Sequence, residues 1–356
     1  MTTAFVRALG ALAHRAAHVP AHVPAHVPAH APVRAAAGCD CPPPVVLADR
    51  ADGTVVRSGP VVAKAHAPGT DTAGLAVRLR LAARPALAGT LLAPLPVPPP
   101  TTPYEAAAPL VAATPYLTEV HGRPVTLWPH GEPVDPGDPD AAPWEEAAVL
   151  LARLHRTELP APGAVRPSGL PAMRGPAKAA LAVHRMCEAR PGDPATAPVI
   201  AAWQRLPDRA RDEAPSTGHG RRHLCHGDLH LGQLVRHPAP HGHWLLIDVD
   251  DAGIGDAAWD LARPAAWYAA GLLPPEVWFR FLGAYRGAGG PAVPAEGDPW
   301  PGLDVAARAL TVQTAALALA KSAAEGRSPD EVEELMIEAC ARIAAFRPEL
   351  APGPAS

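Results

Sequence analysis

"HLCHGDLHLGQLV", residues 223–235, sets His, Asp, Gln and Cys side chains into a pattern that otherwise reads as a buried strand followed by a loop. Asp228 stands where the apolar run breaks. The next stretch, "HGHWLLIDVDDAGIGDAAWDLA" (241–262), contains a short apolar strand within "HWLLIDV" that ends in Asp248, the residue before its final Val249 and twenty positions after Asp228. Two carboxylates thus leave adjacent apolar segments at their ends, where side chains converge on a cleft rather than a core. Such a pair suits a divalent metal and a base.

The rest of the chain bounds what that pair serves. With 356 residues, 48% of them hydrophobic, there is material for one large domain or two lobes with a sizeable core. Net charge is -4 and the arginines are scattered among acids, so no basic stripe tracks a phosphate backbone and nucleic acid is not an expected partner. Five cysteines are present, and only Cys39 and Cys41 sit close together, with no second pair to complete a zinc site. Reduced thiols in a cytoplasm are expected. The apolar run at the N-terminus is interrupted by His14 and Arg15 before it reaches signal-peptide length, and no window approaches 18 uncharged apolar residues. No membrane partner is therefore expected, and the oligomeric state is left open.

A short helix at the N-terminus precedes "AHVPAHVPAHVPAHAP" (17–32), where proline at every fourth position forbids an α-helix and no apolar face can form. Residues 1–36 are expected to be a His/Pro-rich tail. Three β-branched runs follow at 45–48, 54–57 and 61–65, separated by "DRADG" and "SGP", which have turn composition. "GTDTAGLAVRLRLAARPAL" then shows helical spacing with Thr70 or Asp71 as N-cap, and "PYLTEVHG" with "RPVTLWP" reads as a hairpin. The order β-β-β-α-β-β fills a small lobe over 37–128. From 129 to 356 the patterns are mainly helical, and the last helix opens with "SPDE", Ser328 as cap and Glu331 closing a capping box.

"HGDLHLGQ" followed by "LIDVD…GDAAWDLA" resembles the aminoglycoside phosphotransferase family, small-molecule kinases that share the two-lobed protein-kinase fold. The spacing from Asp228 to Gln233 is similar to that between the kinase catalytic Asp and its metal-binding amide, and Asp248 matches the metal-binding Asp that follows. The resemblance covers roughly residues 45–290 and implies an α+β fold, a small antiparallel-sheet lobe that binds nucleotide and a larger helical lobe. It implies ATP and Mg²⁺ as cofactors and a small-molecule hydroxyl compound, such as an aminoglycoside or a sugar, as acceptor. Asp228 would accept or orient the acceptor proton, Asp248 and Gln233 would hold Mg²⁺, and Lys64 in the third strand would contact the phosphates. Adenine would sit between the lobes against backbone groups from Leu127, Trp128 and His130, over a floor of Val235 and Ile247. Asp256 and Asp260 would fix the following loop and helix, with Asp250 and Asp251 standing near the site.

Lysine is scarce: only Lys64, Lys178 and Lys321 occur among 31 Lys and Arg residues. A lysine inside the apolar strand "VVAKAH" therefore asks for a reason beyond snorkelling at a sheet edge. Three departures from the kinase pattern stand beside it. The helix at 74–83 lacks the glutamate that pairs with the lysine, leaving Asp71 or Glu105 to replace it; Gln233 stands where most members of the family carry Asn, although bacterial maltokinases show a similar "HGDxHLGQ"; and no G-x-G-x-x-G loop covers the phosphates. The missing glutamate also suggests a second class, an inactive kinase-like nucleotide-binding protein. "GDLH" occurs in metallophosphoesterases as well, but the chain has no "GNH" or "DxH" partner segment for that fold.

Overall fold

The computed structural model describes residues 3–18, 42–50, 53–99, 114–159, 169–214 and 222–346. The chain divides into two compact units: one takes Met1–Val134, Arg166–Leu170 and Leu234–Asp250, the other Asp135–Val165, Pro171–Gln233 and Asp251–Ser356. The boundary expected at 128/129 is thus displaced, and a later stretch of chain returns to the first unit.

In the first unit, β1 (Val45–Asp49), β2 (Gly53–Ser58), β3 (Val61–His66), β4 (Leu117–Val120) and β5 (Arg123–Pro129) form a sheet of order β1-β2-β3-β5-β4. Each neighbouring pair of strands in it is antiparallel. His121 and Gly122, both at positive φ (50° and 75°), make the two-residue turn of the expected β4–β5 hairpin. Helix α2 (Thr72–Ala82) starts at Asp71, whose side chain accepts the Gly74 N–H. A second, smaller sheet joins β6 (Glu132–Pro133), β8 (Leu234–His237) and β9 (His243–Leu246) in the order β6-β8-β9.

The short N-terminal helix is present as expected, but it packs on the sheet rather than belonging to a tail. Thr3–Ala17 forms helix α1, and Phe5, Leu9, Leu12 and Ala13 pack on Val56, Val61, Ala63, Ala65, Val125 and Leu127 of the sheet. The spacing 5, 9, 12, 13 is one helical face, and the sheet face it covers is apolar, so both gain by leaving water. Gly10 on the same helix lets the Pro44 ring approach where a Cβ would collide. Beyond His18 the AHVP repeat, with Cys39 and Cys41, lies outside the described residues.

The second unit contains α3 (Trp144–His155), α4 (Gly175–Ala189), α5 (Ala197–Gln204), α6 (Ala258–Ala270), α7 (Pro275–Gly287), α8 (Trp300–Glu325) and α9 (Glu331–Ala345), with a two-stranded ribbon of β7 (His223–Cys225) and β10 (Gly253–Gly255). Met186, Val199, Val312, Leu319, Met336 and Cys340 lie in its core. By length and composition α8 is apolar enough to cross a membrane, and 67% of its most apolar window is buried within the fold. The cap of α9 falls two residues later than expected. Asp330 rather than Ser328 accepts the Glu333 N–H, and the Glu333 carboxylate accepts the Asp330 N–H. Both "SPDE" and "DEVE" carry the box spacing, and Arg327, bonded to both Glu333 oxygens at 2.6 and 2.8 Å, favours the second.

Leu9 is fully buried under α1. Leu9→Ala should lower stability by about 2–5 kcal/mol, the range for a buried leucine truncated to a cavity. Urea unfolding measures this, and a midpoint equal to the parent's would show that α1 does not hold the sheet.

Candidate active site

Two clusters of charge stand out, one in each unit. In the first, the alternation of β3 buries Ala63 and Ala65 and turns Lys64 to the opposite face. Lys64 Nζ lies 2.8 Å from Asp248 Oδ1 and 2.9 Å from Asp250 Oδ2, carboxylates more than 180 positions away in sequence. Burial alone pulls the Lys64 ammonium down, but the Asp250 and Asp248 carboxylates outweigh it and hold it above the ordinary lysine range. Asp250 is held well below the usual carboxylate range: its burial acts upward, and Lys64 and His66 more than reverse it.

A chain of hydrogen bonds fixes Asp250 from behind. His66 Nδ1 lies 3.0 Å from Asp250 Oδ2, His66 Nε2 lies 3.0 Å from Thr126 Oγ1, and the Trp128 indole N–H donates to that same hydroxyl at 2.9 Å. The carboxylate can only accept, so His66 Nδ1 carries the proton of that contact. Asp248 sits two residues beyond β9 with φ of 62°, a left-handed conformation rare outside glycine. Asp tolerates it better than most side chains, and backbone strain of this kind concentrates where a side chain must be aimed.

In the second unit the catalytic-loop candidate leaves β7 and is pinned by one acid. Asp260, wholly buried, accepts the His226 N–H at 2.6 Å, the Gly227 N–H at 2.7 Å and His155 Nε2–H at 2.9 Å. Its carboxyl is held below the ordinary range because these donors outweigh the opposing effect of burial. His155 Nδ1 lies 2.8 Å from the Tyr285 hydroxyl, which also accepts the Ala292 N–H at 3.0 Å, so the network closes with every group satisfied. Gly227 has φ of 84°, and a Cβ there would strike the Asp251 carbonyl, so both conformation and space require glycine.

The next residue, Asp228, is gripped at both oxygens. Lys178 Nζ lies 2.7 Å from Oδ2, and Arg263 donates to Oδ1 at 3.0 Å while its Nε donates to the Leu229 carbonyl at 2.9 Å. Burial raises the Asp228 carboxyl, but Lys178 and Arg263 outweigh it and hold it below its usual range. His230 is pulled down to about 4 by burial and then by Arg263, so it is neutral at pH 7. Gln233 closes the one-turn helix Leu231–Gln233, and its N–H donates to the His230 carbonyl at 2.8 Å.

The structure therefore brings Lys64 and Asp248 together, and places Asp228 and Gln233 on one loop. Two of the backbone groups expected to meet adenine along β5 have partners within the fold. The Leu127 side chain is core and its carbonyl accepts the Leu95 N–H at 2.8 Å, while the His130 N–H donates to the Pro60 carbonyl at 2.7 Å. Sheet pairing has already used these backbone groups. Trp128 is 8% exposed with its indole N–H committed to Thr126, Val235 is buried beside Gly131, and Ile247 is half-buried. Of the replacements expected for the helix glutamate, Asp71 is spent as the α2 cap and Glu105 lies outside the described residues; Asp250 is the partner Lys64 has. Asp256 accepts the Ala258 N–H at the start of α6. Lys178 and Arg263 escaped sequence reasoning, although the rarity of lysine was a signal for the first.

The model of the phosphotransferase enzyme family matches residues 54–300, and the chain belongs to that family. No curated protein sequence matches significantly. Among solved structures, a thermostable mutant of aminoglycoside phosphotransferase APH(4)-Ia in ternary complex with AMP-PNP and hygromycin B aligns at 14% identity with a TM-score of 0.54, covering 86% of this chain and 95% of that one. The GDP and kanamycin complex of APH(2")-IIia aligns at 17% identity with a TM-score of 0.50, covering 86% and 94%. At these identities the likeness establishes the fold: α+β, of the protein-kinase-like type.

Asp260→Ala should destabilise by about 3–5 kcal/mol at pH 7, because it orphans buried donors. Since the folded-state carboxyl is depressed, its contribution is present above the ordinary carboxylate pKa and is lost as pH falls through the lowered folded value. The gap between parent and variant should thus narrow on acidification. Urea melts at several pH values check this, and a gap constant with pH would contradict the assignment.

Proposed function

We propose that this member of the family moves the γ-phosphoryl group of ATP, with Mg²⁺, to a hydroxyl of a small molecule. The observation that carries the reading is the Lys64–Asp248 pair. Two residues singled out from separate stretches, one as a phosphate cation and one as a metal acid, lie 2.8 Å apart. Asp248 keeps 32% side-chain exposure, as a group that must meet a ligand requires. A carboxylate and a side-chain amide are the hard oxygen donors that Mg²⁺ prefers, so Asp248 and Gln233 fit it. When bound, Mg²⁺ would neutralise charge on the β and γ phosphates.

The chain's own residues do the rest. Lys64 offers a compact ammonium to the phosphate oxygens. Asp228 meets the acceptor. With a cation on each oxygen it is a weak base, so its work is to orient the hydroxyl and receive the proton late, as a loose transition state permits. The absent helix glutamate, the ground for an inactive homologue, loses its force because Asp250 supplies Lys64 with an acid.

Two substitutions separate the roles. Asp248→Ala should weaken Mg²⁺-supported ATP binding along with turnover. Asp228→Ala should leave ATP binding intact and lower kcat by about 10² to 10⁴. Coupled ADP release across sugars, hydroxy acids, amino alcohols and aminoglycosides identifies the acceptor, and calorimetry reads ATP binding. Retention of the parent's rate by Asp228→Ala on that acceptor would sink the mechanism, and no turnover of any acceptor with equal ATP binding in both variants would favour the inactive homologue.

A further inference from the structure

Lys178 has no role in the scheme so far except as a neighbour of Asp228. It lies in the first turn of α4, and its ammonium is 2.7 Å from Asp228 Oδ2 and 2.7 Å from Asp251 Oδ2. Asp251 is itself fixed twice by Arg174, whose N–H donates to the Asp251 carbonyl at 3.1 Å and whose Nη1 lies 3.2 Å from Oδ1. Lys178 is thus anchored at Asp251 and applied to Asp228. The opposite oxygen of Asp228 is held from α6 by Arg263. A carboxylate with one partner can turn about its terminal torsion, whereas one held at each oxygen from a different helix cannot.

The choice of lysine fits this use. One nitrogen must lie within hydrogen-bond reach of two separate carboxylates, which a point-like ammonium does and a planar guanidinium fork does poorly. In a chain of 31 Lys and Arg residues with only three lysines, that geometry gives a reason for lysine at position 178.

We infer that Lys178, anchored by Asp251, is a positioning residue for Asp228: it fixes the plane of the carboxylate and keeps it anionic for contact with the acceptor hydroxyl. This rests on the phosphotransfer reading, in which Asp228 is where the acceptor is met. The charged and titratable groups facing Asp228 are Lys178 from α4, Arg263 from α6 and His230 on its own loop, with Asp251 just beyond Lys178. Removing the ammonium would leave the Asp228 and Asp251 carboxylates facing each other, with Arg263 the remaining cation on Asp228. Two carboxylates at such a distance oppose each other's ionisation, so the Asp228 titration must move to higher pH.

The test uses the full chain with aspartate ¹³C-labelled at its carboxyl carbon, and the Asp228 resonance assigned from its loss in Asp228→Asn. Lys178→Met should raise the Asp228 midpoint by about one unit or more, and Lys178→Arg by much less. Alongside, ADP release from MgATP is measured with water and with the best acceptor of the panel, and a melting curve shows that each variant is folded. Lys178→Met should lower kcat by about 10- to 100-fold with the KM for ATP changed less than about threefold, the scale of a misplaced catalytic group. Its acid limb should move to higher pH, and Lys178→Arg should recover most of the rate. An Asp228 midpoint unchanged in Lys178→Met, or a folded Lys178→Met with the parent's kcat and pH profile, overturns the inference. If Asp228→Asn itself releases ADP at the parent's rate, the phosphotransfer reading fails instead, while the titration still judges the Lys178–Asp228 link on its own.

Discussion

A single buried carboxylate, Asp260, determines where the loop bearing Asp228 lies. An acid with no exposure is tolerable only if hydrogen bonds replace its lost water, and the loop amides of His226 and Gly227 need acceptors for the same reason. Each deficiency satisfies the other. His155 from α3 supplies the third donor, and Tyr285 from α7 closes the network behind it, so three helices converge on one carboxylate. The loop cannot shift without orphaning several buried groups at once. Asp228, the next residue after the two pinned amides, inherits that rigidity.

Two lysines, one in each unit, follow one design. Lys64 bridges Asp248 and Asp250, and Lys178 bridges Asp228 and Asp251. Each compact cation collects two carboxylates that would otherwise repel. Asp250 and Asp251 are neighbours in sequence, yet each serves a different lysine. A pair of adjacent acids that reads from sequence as redundant has two separate tasks.

Legibility in the sequence followed the range of the interactions. The strands, the β4–β5 hairpin and α2 were readable because turn chemistry and alternation are local. Asp228, Gln233 and Asp248 were singled out by motif spacing and Lys64 by its rarity in an apolar strand, and the contact of Lys64 with Asp248 joins two of those separate signals. Helix α1 was misjudged because the repeat beside it dominates the composition, and the apolar face of Phe5, Leu9 and Leu12 has meaning only once the sheet face it covers is known. That the Leu127 carbonyl accepts the Leu95 N–H and the His130 N–H donates to the Pro60 carbonyl was not readable, because those partners are distant in sequence. Lys178 was invisible as a partner of Asp228 because nothing local links residues 50 positions apart, and the scarcity of lysine hinted only that it had a reason.

The missing helix glutamate has a physical consequence beyond the identity of its substitute. In the kinase pattern the phosphate-binding lysine is held by an acid on a separate helix, so the lysine is correctly placed only when that helix is. Here the acid is Asp250, two residues from Asp248, and it is steadied by His66 on the same strand as Lys64 and by Thr126 on the adjacent one. The cation and the carboxylate proposed to hold the metal are therefore set by one short segment and one sheet. α2, relieved of this duty, carries no acid within its span and needs none. Placement of Lys64 is a property of the folded sheet rather than of a helix that must move into position.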